Sequence, residues 1–292
     1  SASRAAAIQA LACWRRGRID DAAALARSVL DSDAESWSVA RAYSALAAAS
    51  LFMGDLAEAH RAWTARVSLE PDYHIDAASA ALTEAYDGRV AEAREALNRL
   101  RPDVEASGWL TSKAWVDYIT GEVEAVAGDP SSVGWLQRAV ERATEAGSQF
   151  IVGVAGLTLC TNVQAQGDTT EAARRYRDLI EHWLRSGTWA QQWTTLRNAA
   201  SLVETYDPAL ALLVLEAADR DPFAPTVDTS PGSEEGRHRA SLRERIGPDA
   251  AAAVDATVID RAELADRVRT SLGAFLESDA PQAAGDRRDV LP

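Results

Sequence analysis

Residues 167–198 read GDTTEAARRYRDLIEHWLRSGTWAQQWTTLRN. Gly167-Asp168 breaks an apolar stretch, after which Thr169 or Thr170 can cap a new helix. Ala172, Ala173, Tyr176, Leu179, Ile180 and Trp183 follow at spacings of one, three and four, which is one face of a helix. Ser186-Gly187 stops it. Trp189, Trp193, Leu196 and Ala200 then open a second face at helical spacing. The stretch is a helix, a tight turn and a second helix, with small residues where the two must approach.

The same unit recurs upstream. Its signal is glycine, any residue, an apolar residue or threonine, any residue, an acid and alanine. It stands at Gly17-Arg-Ile19-Asp-Asp21-Ala22, at Gly54-Asp-Leu56-Ala-Glu58-Ala59 and at Gly88-Arg-Val90-Ala-Glu92-Ala93. It returns at Gly167-Asp-Thr169-Thr-Glu171-Ala172, and a degenerate copy begins at Gly128-Asp129-Pro130. Starts at 17, 54, 88, 128 and 167 give intervals of 37, 34, 40 and 39 residues. The glycine ends one helix in a conformation other residues avoid. The acid meets the positive end of the next helix dipole. No single unit can bury its apolar face, so neighbours must stack on it. The pattern predicts an all-α fold, an α-solenoid of antiparallel helix pairs forming a tetratricopeptide-like superhelix.

Partner helices fall between the signals, at 5–16, 35–52, 75–86 (after a break at Pro71), 109–126, 150–166 and 189–204. The helix at 150–166 is almost wholly apolar and is expected to be the most buried. Asp207-Pro208 caps a helix over 209–218. PFAPTVDTSP at 222–231 is the clearest loop, and short helices follow near 234–245 and 248–257. Asp260 caps the last helix, which carries Leu264, Val268, Leu272 and Phe275. The expected organisation is helical repeats over 1–222, a loop over 223–233, capping helices over 234–278 and a disordered tail over 279–292.

The 292 residues are 47% apolar, much of it alanine, which suits close-packed helices. Thirty basic against 44 acidic residues give a net charge of −14. Such a surface repels phosphate backbones and anionic membranes, so neither direct nucleic-acid contact nor membrane binding is expected. No run of 18 apolar residues appears. Cys13 and Cys160 sit in apolar helical contexts; two buried thiols in a reducing cytoplasm is one reading and a disulfide the other. The chain opens Ser-Ala-Ser, and a fragment of a longer protein, with further domains upstream, is expected.

Little in the chain spells out a reaction. His60, His74, His182 and His238 include no pair at the spacing a metal needs, so no metal or other cofactor is expected. Lys113 is the one lysine, and no phosphate-binding glycine loop surrounds it. The adjacent acids Asp20-Asp21 and Glu234-Glu235 do not converge on a helix. Nine tryptophans are the unusual count. They can fill gaps between alanine-rich helices. Alternatively some line a concave groove, and the best candidates are Trp189, Gln192, Trp193, Arg197 and Asn198, which put aromatic, amide and guanidinium groups on one helix.

Residues 182–187 (HWLRSG) and 189–198 (WAQQWTTLRN) resemble the C-terminal tetratricopeptide-like region of large actinobacterial regulators. These carry an ATPase module of the signal-transducing (STAND) type with a LuxR-type DNA-binding domain or a nucleotidyl cyclase domain. Leu215-Glu-Ala217-Ala218-Asp219 resembles that family's closing helix, and residues 243–268 its last pair. The likeness covers roughly 167–272; it departs from the pattern over 220–233 and near Val254. It implies no catalytic residue here. It implies a cytoplasmic, non-enzymatic arm that binds a protein, peptide or small effector and relays it to an attached regulator or cyclase. The alternative is a structural scaffold for self-association, with a homo-oligomer as its product.

Overall fold

A computed structural model of the chain describes residues 2–70 and 73–279. Among these residues there are fifteen helices and no strand. They are α1 (Ala2–Arg15), α2 (Ile19–Leu30), α3 (Ser36–Phe52), α4 (Leu56–Leu69), α5 (His74–Tyr86), α6 (Val90–Ala106), α7 (Leu110–Val126) and α8 (Ser132–Glu145). Then come α9 (Gln149–Ala165), α10 (Thr169–Ser186), α11 (Trp189–Val203), α12 (Pro208–Arg220), α13 (Glu234–Ile246), α14 (Pro248–Ala256) and α15 (Arg261–Asp279). The break read at Pro71 and the tail read as disordered lie outside the described residues, apart from Asp279, which ends α15.

Helices pack on their sequence neighbours, α1 on α2, α3 on α4, α5 on α6, and so on to α11 on α12. Odd-numbered helices also touch one another, α1 with α3, α5 with α7, α7 with α9 and α9 with α11, while α15 lies along α10. Alanine makes the close crossings: Ala7, Ala10, Ala22, Ala26, Ala45 and Ala49 are completely buried. No described helix is long and apolar enough to cross a membrane.

Local chemistry sets the ends. The cap of α10 is Asp168, whose carboxylate accepts from the Glu171 amide at 3.0 Å, and Thr169 and Thr170 are the first helical residues rather than the cap. A carboxylate satisfies an orphan N–H and adds charge at the positive helix end. Asp55 and Asp207 do the same for α4 and α12, at 2.9 Å each. Gly187 ends α10 with φ 67°.

The helix at 150–166 is not the most buried. α9 buries six of its 17 residues, whereas α11 buries ten of its 15. Part of the apolar surface of α9 faces a cavity instead of a packed neighbour.

The turn after α1 reaches the far part of the chain. A β-carbon on Gly17 (φ +80°) would lie 3.1 Å from the Phe223 carbonyl oxygen and 3.2 Å from the Ala190 amide nitrogen. Close by, Trp14 meets Phe150 of α9, ring centroids 5.7 Å apart. Gly54 has the same backbone (φ +76°) and no neighbour within 4 Å of its would-be β-carbon. Gly54→Ala is therefore expected to cost about 1–2 kcal/mol, from the left-handed backbone alone. Gly17→Ala should cost about 1 kcal/mol more, from crowding against backbone that moves with difficulty. Urea unfolding of both variants measures the difference; equal losses would mean that the turn is not held against α11.

Candidate functional site

Five odd-numbered helices each turn one stripe toward a shared cavity of about 440 Å³. α3 gives Leu51 and Phe52, α5 gives Leu82 and Tyr86, and α7 gives Tyr118 and Glu122. α9 contributes Val154, Leu157, Thr158 and Thr161, and α11 contributes Gln191, Thr194 and Asn198. On α5, α7, α9 and α11 the spacings of three, four and seven are those of a single helical face, while α3 brings the adjacent pair at its end. Pro225, from the helix-free segment after α12, completes the wall.

Glu122 is the chemically unusual member. It is 8% exposed. One carboxylate oxygen accepts from the Thr158 hydroxyl and the other from Tyr86 Oη at 2.9 Å; the Tyr118 hydroxyl also bonds to the carboxylate. Burial pushes the carboxyl above its usual range, and the three hydroxyls oppose this. Burial, reinforced by the carboxylate's charge, holds Tyr86 and Tyr118 well above the usual phenol value. No described cation pairs with Glu122. The other deeply buried acids differ: Asp76 meets Arg66 at 2.8 Å, and Asp117 meets Arg101, Arg138 and Arg142 at 3.2, 3.2 and 2.9 Å. Gln191, 5% exposed, adds a buried amide oxygen without a hydrogen-bond partner among the described residues.

The five residues expected to form a groove site separate in space. Asn198 lines the cavity. Arg197 donates to the Pro225 carbonyl and to Asp219 at 3.2 Å. It thereby fixes the segment that closes the cavity, and burial draws its pKa below the usual guanidinium value against the pull of Asp219 and Glu235. Gln192 is fully buried, and neither amide atom has a hydrogen-bond partner among the described residues. Trp193 is 1% exposed in the core and edges a smaller cavity of about 250 Å³ with Pro222 and Arg261. Trp189 is half-buried beneath the Arg261 guanidinium, 4.4 Å from its ring. Trp193 and Gln192 thus do not line an open groove: ten of the 15 residues of α11 are buried, and these two side chains lie in the core.

No tryptophan lines the 440 Å³ cavity; its rings are Phe52, Tyr86 and Tyr118. Glu122, Tyr86 and Tyr118 were not among the sequence candidates, though a signal exists. Trp115, Tyr118 and Glu122 stand at i, i+3 and i+7 beside the apolar stripe of Val116, Ile119 and Val123, so an acid falls where a core residue is expected. Cys13 and Cys160 are both free and buried, and burial pushes the Cys160 thiol up to about 12. Among the described residues no three histidines, cysteines or acids are placed to hold a metal.

Compared with models of known protein families and with characterised proteins, the chain matches none.

Proposed function

We propose that the chain is a non-enzymatic, tetratricopeptide-like α-solenoid that binds a small effector or short peptide on the inner face of its odd-numbered helices. The occupied state would be relayed to an attached regulator of the ATPase type, with a LuxR-type or cyclase output domain. The glycine-punctuated pairing of helices supports the solenoid half of this reading. The observation that carries the binding half is the cavity of about 440 Å³, walled by five helices and within the size range of ligand sites. A wall drawn from five consecutive pairs also offers a route for relay, because a ligand touching all of them favours one relative placement.

The binding half is tested by ligand-observed NMR with a fragment library, against the wild type and Leu157→Trp. The indole fills space at the centre of the α9 stripe, and circular dichroism checks that the variant stays helical. Fragments that bind the wild type and are lost from Leu157→Trp are the expected result. A library with no binders, or binders indifferent to the substitution, sinks the cavity as the site. The relay half is tested on the complete coding sequence: an ATPase module and an output domain on the same chain are expected, and their absence removes that half.

A further inference from the structure

Among the described residues, the deeply buried carboxylates are matched by arginines with one exception. Asp76 and Asp117 each have guanidinium partners within 3.2 Å, while the groups acting on Glu122 are the hydroxyls of Thr158, Tyr86 and Tyr118. A carboxylate offers about four lone-pair sites, and three hydroxyls leave one unused. Glu122 stands on the cavity wall, the side from which a guest would approach that remaining site. Leaving an acid buried without a counter-charge is costly, and supplying the cation from outside removes much of the cost.

The remaining wall defines the cation. Tyr86, Tyr118 and Phe52 offer ring faces, which attract positive charge. Leu82, Val154 and Leu157 give apolar contact for a carbon skeleton. Gln191 presents an unpartnered buried oxygen, an acceptor waiting for an N–H donor. A hard metal ion would want several charged oxygens, and one carboxylate does not provide them. The net charge of −14 favours the approach of cations from solution.

We infer that the cavity takes a small organic ammonium ion, whose charged head pairs with Glu122 and donates to Gln191 while its carbon body lies against the aromatic and aliphatic wall. This rests on the cavity being the binding site. It goes further in naming the ligand class and the residue that selects it.

The test uses two probes of nearly equal shape, phenethylammonium chloride and 2-phenylethanol, by calorimetry on the whole chain at pH 7.5. The wild type is expected to bind the ammonium about tenfold or more tightly than the alcohol, the gain of a charge-assisted hydrogen bond. Glu122→Gln keeps the size and is expected to level the two. Thr158→Val keeps the carboxyl but strips a hydroxyl that opposes its upward shift, so the preference should persist when the titration is repeated at about pH 8.5. Equal binding of both probes by the wild type overturns the inference, whether or not Glu122→Gln folds. A preference that survives Glu122→Gln, or is absent from Thr158→Val at the higher pH, overturns it too. If other fragments bind and are lost from Leu157→Trp while the ammonium does not bind, the ligand class is wrong and the cavity reading stands. If no fragment binds, the cavity reading itself has failed.

Discussion

Gly153→Ala is expected to destabilise the protein by about 3 kcal/mol, although it adds one methyl group to a good helix position. The reason is Trp183. A β-carbon at Gly153 would lie 2.2 Å from Cη2 and 2.3 Å from Cζ2 of that indole. Trp183 is 1% exposed, lies edge-on to Phe150 at 6.5 Å and stands 4.8 Å from the His182 ring. A flat ring hemmed in on both sides cannot step aside as the end of a leucine can. Trp183→Ala removes the ring and is expected to cost about 3–5 kcal/mol by itself. The double variant should then lose less than the sum by at least about 1 kcal/mol, since the new methyl group enters space the indole has left. Chemical denaturation of the four proteins measures the cycle. Strict additivity, or a Gly153→Ala within about 0.5 kcal/mol of wild type, would mean that α9 and α10 are not packed ring against backbone.

Arg239→Ala has the second largest expected effect, about 2–4 kcal/mol, below the full value for a buried pair because its acids are partly wet. The Arg239 side chain is 9% exposed. It holds Asp219 with both terminal nitrogens, at 2.6 and 3.0 Å, and Glu235 at 3.1 and 3.2 Å. It also donates to the Leu215 carbonyl at 3.1 Å. Burial works against this charge, yet the acids outweigh it and the pKa is raised. Removing the guanidinium leaves Asp219 and Glu235 facing each other across the α12–α13 contact. Lysine keeps the charge and loses the fork, so Arg239→Lys should recover only part of the loss. Thermal unfolding of both variants is the measurement, and an Arg239→Lys protein as stable as wild type would show that geometry does not matter there. Asp219 also binds Arg197, which anchors the Pro225 side of the cavity, so the damage is expected to reach the cavity wall.

Helices were the legible part of this sequence. The glycine-acid-alanine signals place the starts of α2, α4, α6 and α10 within a residue or two, because caps and left-handed glycines are local chemistry. What depends on three-dimensional convergence was not legible. α9 is apolar all round, which reads as burial, and yet Leu157 and Thr158 face a cavity that only the other helices complete. Trp193 and Gln192 read as groove residues because aromatic and amide groups sat together on one helix, and the packing of α11 turned them inward. Asn198 lines the cavity, and Arg197 stands behind it, holding Pro225. Glu122 falls at a core position of the α7 pattern, but which hydroxyls surround it depends on α5 and α9, and no single helix shows that. The segment after α12 read as a loop and carries no helix, but Phe223 and Ala224 pack on the core and Pro225 closes the cavity.

The Gly17 turn has a bearing on how the chain comes apart. In an open row of helix pairs each unit leans only on the next, so the end units fray first and unfolding spreads inward. Here the first turn also leans on α11 and on Phe223, far along the chain. The α1–α2 pair thus leans on more than its next neighbour: loosening it is expected to disturb the neighbourhood of the cavity as well. Hydrogen exchange at the end of α1 is then expected to rise and fall with exchange at the start of α11, two segments separated by more than half the chain.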